Sequence, residues 1–173
     1  MTWSKPLLRE LRSRFECDWD GYHGIRHWYN VALNARYLHS RMPSADRLVT
    51  DLFALFHDVG RVNENDDPGH GIRGAFIAEE LRGKFFDCTD KQMSQLVYAC
   101  TNHTLEIPTS DPVVATCWAA DRLDLTRVGI SVEFERLPLM EGMMFNGYIV
   151  GEAHRRSTQL TKRIRSMLPP AEN

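Results

Sequence analysis

DLFALFHDVGR, residues 51–61, sets an oily run against a His–Asp pair. Leu52-Phe53-Ala54-Leu55-Phe56 has apolar residues on nearly every side of a helical wheel, so the periodicity predicts a central, buried helix. A carboxylate at the end of such a helix is costly to desolvate unless a cation or strong donors meet it. Gly60 is expected to stop the helix, since glycine takes the left-handed conformation that closes a C-terminus. The junction of His57 and Asp58 is therefore where chemistry is sought first.

The rest of the chain reads as helices arranged around that one. Residues 4–19 put Leu7, Leu8, Leu11 and Phe15 on one face. DWDGYHG, residues 18–24, interrupts the pattern with two glycines. A second helix over 24–41 carries Trp28, Val31, Ala32, Ala35 and Leu38, and Met42-Pro43 ends it. Ser44 is the expected N-cap of the helix that runs to His57. After the polar loop GRVNENDDPGHG, a fourth helix over 70–82 carries Ile72, Ala75, Phe76, Ala78 and Leu81 as its apolar set. A fifth, capped by Thr89, spans 89–102 with Met93, Leu96, Val97 and Cys100. Asp111-Pro112 opens a sixth, an N-cap followed by proline in the first turn. Residues 129–151 read as an irregular excursion and 148–167 as a last helix, before Pro169-Pro170. VGISVEF is the best strand candidate and has no partner. The expected fold is an all-α, single-domain bundle over 1–173.

Bulk properties narrow the function. With 173 residues the chain suits one sizeable core rather than two domains. A net charge of −2 does not suggest a nucleic-acid polymer or a membrane surface as partner. No apolar run approaches a membrane span, and MTWSKPLLRELRSRF lacks the apolar stretch of a signal peptide. Cys17, Cys88, Cys100 and Cys117 show no CxxC spacing, and Cys100 and Cys117 lie in apolar surroundings that suit buried thiols. The expectation is a reduced, cytoplasmic protein of undetermined oligomeric state.

His23, His27, His57, Asp58, His70, His103 and Asp121 all fall at helix ends or in adjoining loops. Imidazole and carboxylate together suit a divalent first-row metal, and the lack of thiolate spacing argues against structural zinc. His27 shares a face with Val31 and points inward, as does Asp121 after Cys117, Trp118 and Ala120. Asp121 has a bland alternative in pairing with Arg122 or Arg127, and Asp124 is its rival one turn on.

The order of these residues resembles the HD domain superfamily of metal-dependent phosphohydrolases. HWYNVALNARYL resembles that family's first-His helix, FALFHDVGR its apolar run with the HD pair, and CWAADRLDLTRVG its last-Asp helix. The likeness spans about residues 23–128. It implies that His27, His57, Asp58 and Asp121 bind one divalent ion (Mn, Fe, Co, Ni or Mg), with Asp58 the natural bridge to a second. Such an ion would activate a bound water and polarise a phosphoryl oxygen.

His70 and His103 are expected to line the same pocket. There they would either hold a second metal or serve the substrate directly as hydrogen-bond donors or proton donors. Arg61 stands where some nucleotidase members carry an acid, so it is expected to grip phosphate instead, with Arg26, Arg73, Arg122 and Arg127 as further candidates whose bland alternative is a solvated helix surface. Glu64, Asp66 and Asp67 form a hydrophilic turn from which a general acid could come. His23 either orients the first-His helix or is exposed, and His39 and His154 read as solvated. The expected activity is hydrolysis of a small phosphorylated molecule, with nucleotides as candidates. The alternatives are a di-iron oxygenase like the myo-inositol oxygenase branch, which uses the same ligand order, and a non-catalytic metal-stabilised binding module.

Overall fold

A computed structural model of the chain describes residues 3–40, 45–105 and 108–132, together with 137, 152 and 155. Within the described residues there are six α-helices and no strand: α1 (Lys5–Arg14), α2 (Ile25–His39), α3 (Arg47–Phe56), α4 (His70–Leu81), α5 (Asp90–Asn102) and α6 (Pro112–Arg122). A 3-10 turn, Leu125–Val128, follows α6. No described helix is long and apolar enough to cross a membrane. The expected helix over 148–167 lies outside the described residues except for Glu152 and Arg155, as do His154 and Pro169-Pro170.

Helix ends follow local chemistry. Asp46 accepts from the backbone N–H groups of Leu48 and Val49, so it caps α3 two residues beyond the expected Ser44. Thr89 and Gln92 form a reciprocal capping box on α5. Asp111 accepts from Val113 and Val114, with Pro112 in the first turn of α6. α1 stops at Arg14, short of residue 19, because Phe15 turns extended to pack edge-on against Trp19 and Trp28.

α3 is the axis of the bundle, touching α2, α4, α5 and α6. Every residue from Val49 to Phe56 is buried, as its all-round hydrophobicity requires. Cys100 and Cys117 are buried in the same core. The apolar stripe of α4 is narrower than its sequence suggests. Ala75, Ala78 and Leu81 face the core, whereas Ile72 and Phe76 are 45% and 65% exposed. The inward face of α4 is completed by His70, Gly71 and Gly74 instead, because small residues let the helix come close. His39, expected to be solvated, is buried against the Thr50 hydroxyl at 2.9 Å.

That close approach is made by two glycines. A Cβ on Gly74 would stand 2.0 Å from the Phe56 carbonyl oxygen, and one on Gly60 would stand 2.6 Å from the Gly74 nitrogen. Gly60 does not take a positive φ, so its role is room for α4 rather than a left-handed helix stop. The crossing seats the first residue of α4, His70, beside Asp58. Gly74→Ala is expected to cost about 1–3 kcal/mol through overpacking, read as a lowered urea midpoint with unchanged slope. An unaltered midpoint would show that the crossing has slack.

Candidate metal centre

Four histidines converge with two aspartates where α2, α3, α4, α5 and α6 meet. His27 lies in the first turn of α2, His57 caps α3 at its C-terminus, His70 opens α4, His103 caps α5 at its C-terminus, and Asp121 sits in the last turn of α6. His27, His57, Asp58, His70 and His103 are all essentially buried. The Asp121 side chain keeps 13% exposure, which marks the open side of the cluster.

The tautomers follow from the neighbours. His57 Nδ1 donates to the Phe53 carbonyl at 3.1 Å, His103 Nδ1 to the Cys100 carbonyl at 2.7 Å, and His70 Nδ1 to the Asp67 carbonyl. Carbonyl oxygens only accept, so each Nδ1 carries the hydrogen and each Nε2 presents a lone pair. His27 Nδ1 meets the Asp124 carboxylate at 2.8 Å, which fixes it in the same sense. Partners of this kind orient metal-binding imidazoles and raise their basicity.

The Nε2 atoms face one another in pairs, His27 with His57 at 2.9 Å and His70 with His103 at 2.9 Å. Two lone pairs so close repel unless a proton or a cation lies between them. Asp121 Oδ1 is 3.2 Å from His27 Nε2 and 3.8 Å from His57 Nε2. Asp58 reaches both pairs. Its Oδ2 lies 3.4 Å from His27 and 3.6 Å from His57, while its Oδ1 lies 3.1 Å from His70 and 3.7 Å from His103. Two groups of three thus form, His27–His57–Asp121 and Asp58–His70–His103. An octahedral ion with bonds of about 2.1 Å needs adjacent donors about 3.0 Å apart, close to the shortest spacings here. The donor set therefore fits a divalent metal, with nitrogen and oxygen ligands suited to a first-row ion.

Proton affinities show the same strain. Burial pushes the His57 imidazole down to about 3. His27 moves the other way: burial and the charge of Arg127 oppose protonation, but Asp121 and Asp124 prevail and raise it. His103 is likewise raised, against burial, by Asp58 and Asp121. Burial also disfavours ionised Asp58 and Asp121, yet the surrounding imidazoles hold both carboxyls below the usual range. One member of the His27–His57 pair thus gathers a proton where a metal would otherwise sit.

The arginines sit differently from one another. Arg61 Nε donates to Asp58 Oδ1 at 3.0 Å and its Nη1 to the Asn65 carbonyl, so it steadies a candidate ligand. Arg127 bonds the Tyr22 and Asp124 carbonyls. Arg122 reaches the Leu105 carbonyl at 2.9 Å, and Arg73 is tied to Asp67 and the Gly60 carbonyl. Sequence reasoning treated Asp124 as the rival of Asp121, whereas both are used. Asp121 faces the Nε2 atoms while Asp124 holds His27 from behind and accepts from Asn30 at 3.0 Å. Their i, i+3 spacing on an inward face was the available signal. A second pairing was also missed: His23 Nδ1 meets Glu64 Oε2 at 2.5 Å, beside the cluster.

Residues 24–126 match the family model described as HD domain. No curated protein and no solved structure matches the chain.

Asp58→Ala is expected to abolish metal retention, since Asp58 faces both groups of donors; full occupancy by elemental analysis would remove it from the ligand set. Asp124→Asn is expected to weaken metal affinity about tenfold or more by loosening His27. Because protons compete at the raised His27 and His103, affinity should also fall as pH drops through their titration. A pH-independent affinity would contradict that competition.

Proposed function

The chain belongs to the HD domain family, and on that premise we propose that it hydrolyses a small phosphorylated molecule, nucleotides being candidates. At the family level its His/Asp cluster is compatible with a metal-dependent phosphohydrolase. The observation that carries the finer reading is Asp58, with one carboxylate oxygen toward each histidine pair and an arginine on its flank. His27, His57, Asp58 and Asp121 would hold a dication, which would supply a water of lowered pKa and polarise a phosphoryl oxygen.

The chain's own residues supply the rest. Arg61 sets the orientation of Asp58 and keeps a positive charge beside it, which favours an arriving phosphate. His23 handles a proton: its Nδ1 is held by Glu64, which leaves Nε2 for the substrate or water. Burial, outweighing Asp58 and Glu64, lowers its pKa, so His23 is neutral at ordinary pH and serves as the proton acceptor. Glu64 is the member of the acidic turn with this part to play. Its Oε1 is buried without a hydrogen-bond partner among the described residues. Asp67 instead anchors Arg73 and the Val62 N–H, and Asp66 is exposed.

Two groups of three donors also suit the di-iron oxygenase reading, so the assay must separate the two. Protein purified without chelator and supplied with Mn²⁺, Co²⁺ or Ni²⁺ is expected to release phosphate from a panel of nucleotides and phosphomonoesters, and His57→Ala to abolish it. Two irons per chain with oxygen uptake and no phosphate release would replace hydrolysis by oxygenation. His23→Asn is expected to lower kcat by about 10²–10⁴ at unchanged metal content. At saturating metal the wild-type rate should rise with pH along a titration whose midpoint lies below about 6.5, because the base that accepts the proton has a lowered pKa. Metal lost together with activity in His23→Asn would make His23 a structural support.

A further inference from the structure

A cavity of about 270 Å³ adjoins the metal centre through one shared wall, His27; none of the other five metal-donor side chains lines it. Its size is at the small end for ligand pockets, which start near about 300 Å³. Arg26, Arg127, Asn30, Tyr22 and Asp20 line it beside His27. The two guanidiniums differ in how they are employed. Arg127 is clamped by the Tyr22 carbonyl at 2.9 Å and the Asp124 carbonyl at 3.2 Å, which fixes its charge on the cavity wall. Arg26 is underused: its Nε is buried with no hydrogen-bond partner among the described residues. A carboxylate oxygen of the half-exposed Asp20 stands 3.9 Å from its Nη2. A buried guanidinium N–H without an acceptor is costly. Arg127 shares its charge with Asp124 Oδ2 at 3.8 Å, so the charge left for a ligand in this cavity is that of Arg26, opposed within the lining by Asp20 alone.

We infer that this cavity is the subsite for a second anionic group of the substrate. The molecule hydrolysed is then a small phosphate ester that also carries a separate phosphate or carboxylate. The reacting phosphoryl goes to the histidine cluster and the second anion accepts from Arg26. Only the identity of the reacting end rests on the phosphohydrolase reading; the anion site does not. Arginine suits the task because its planar fork matches either anion.

The anion site is tested first, without turnover. Sulfate is titrated by calorimetry into Mn²⁺-loaded wild type, Arg26→Gln and Arg26→Lys, each checked for metal content. Sulfate affinity should fall at least tenfold in Arg26→Gln and recover in part in Arg26→Lys. Asp20→Asn, which removes the one acid, should tighten sulfate several-fold and keeps the test alive should Arg26→Gln fail to fold. Equal sulfate affinity in wild type and variants, or no sulfate binding at all, overturns the proposal. Matched esters then separate the sources of the anion: a sugar monophosphate, the corresponding bisphosphate, and a phosphorylated hydroxy acid. The loss of kcat/KM in Arg26→Gln should be at least tenfold greater for the doubly anionic ester that wild type prefers. An equal loss for all three overturns the assignment to substrate. Sulfate binding that depends on Arg26, with no ester hydrolysed, would keep the anion site and reject hydrolysis.

Discussion

Two pairs of imidazole lone pairs, each pair 2.9 Å apart in a buried setting, are the constraint on which the site depends. Hydrogen bonding alone gives such an arrangement no reward, because all four Nδ1 atoms are already committed as donors. Only a proton or a metal ion on the Nε2 side makes the convergence favourable. The fold holds the donors in place regardless, and the free energy for that comes from the apolar core around α3. A bound ion then returns some of that cost, since ligands arranged before binding lose little freedom on binding it.

Holding the donors requires helices to approach unusually closely at one end of the bundle. Gly60 and Gly74 let α4 cross the end of α3, and Gly71 meets the Cys100 carbonyl region of α5, next to His103. On the other side Asn34 donates to the Ala120 carbonyl and Asn30 to Asp124, which tie α2 to the end of α6. Each of the four histidines, and Asp58, thus has a neighbour that fixes its position by a hydrogen bond. Side chains supported in this way lie on helix ends, where small errors in position are resisted by the whole bundle.

Much of this was readable in the chain because helix periodicity and caps are local signals. The central helix, the capping box at Thr89 and the Asp111-Pro112 start needed only neighbouring residues. What failed to read out depended on distant partners. Ile72 and Phe76 look like core on a helical wheel, but Gly71 and Gly74 rotate the contact face of α4 away from them. Gly60 looks like a helix stop until the crossing helix is known. His39 looks polar and exposed until Thr50 arrives from α3. The ordered motif brought the six donor residues to notice, and the structure brings them to one place; it could not give the pairing of His23 with Glu64 across the loop. Arg61 was legible as a cation near the site but not as a partner of Asp58.

Charge balance bears on how the site would fill. Asp58, Asp121 and Asp124 are buried or nearly so, and Arg61 and Arg127 lie against Asp58 and Asp124. Three carboxylates outweigh two guanidiniums by a single negative charge. One dication turns that into a single positive charge, a modest imbalance that solvent at the Asp121 side can screen. A second dication on Asp58, His70 and His103 would leave three positive charges in a confined volume, which the low local dielectric makes expensive. A doubly charged phosphate would bring the total back to one. If the proposed phosphate ester is the substrate, occupancy of the second group of donors and binding of that ester would therefore be thermodynamically linked, each favouring the other to the same extent. On the phosphohydrolase reading, a second ion would be held weakly without substrate and more firmly with a phosphate present, and Asp58, which faces both groups of donors, would be the residue that couples the two.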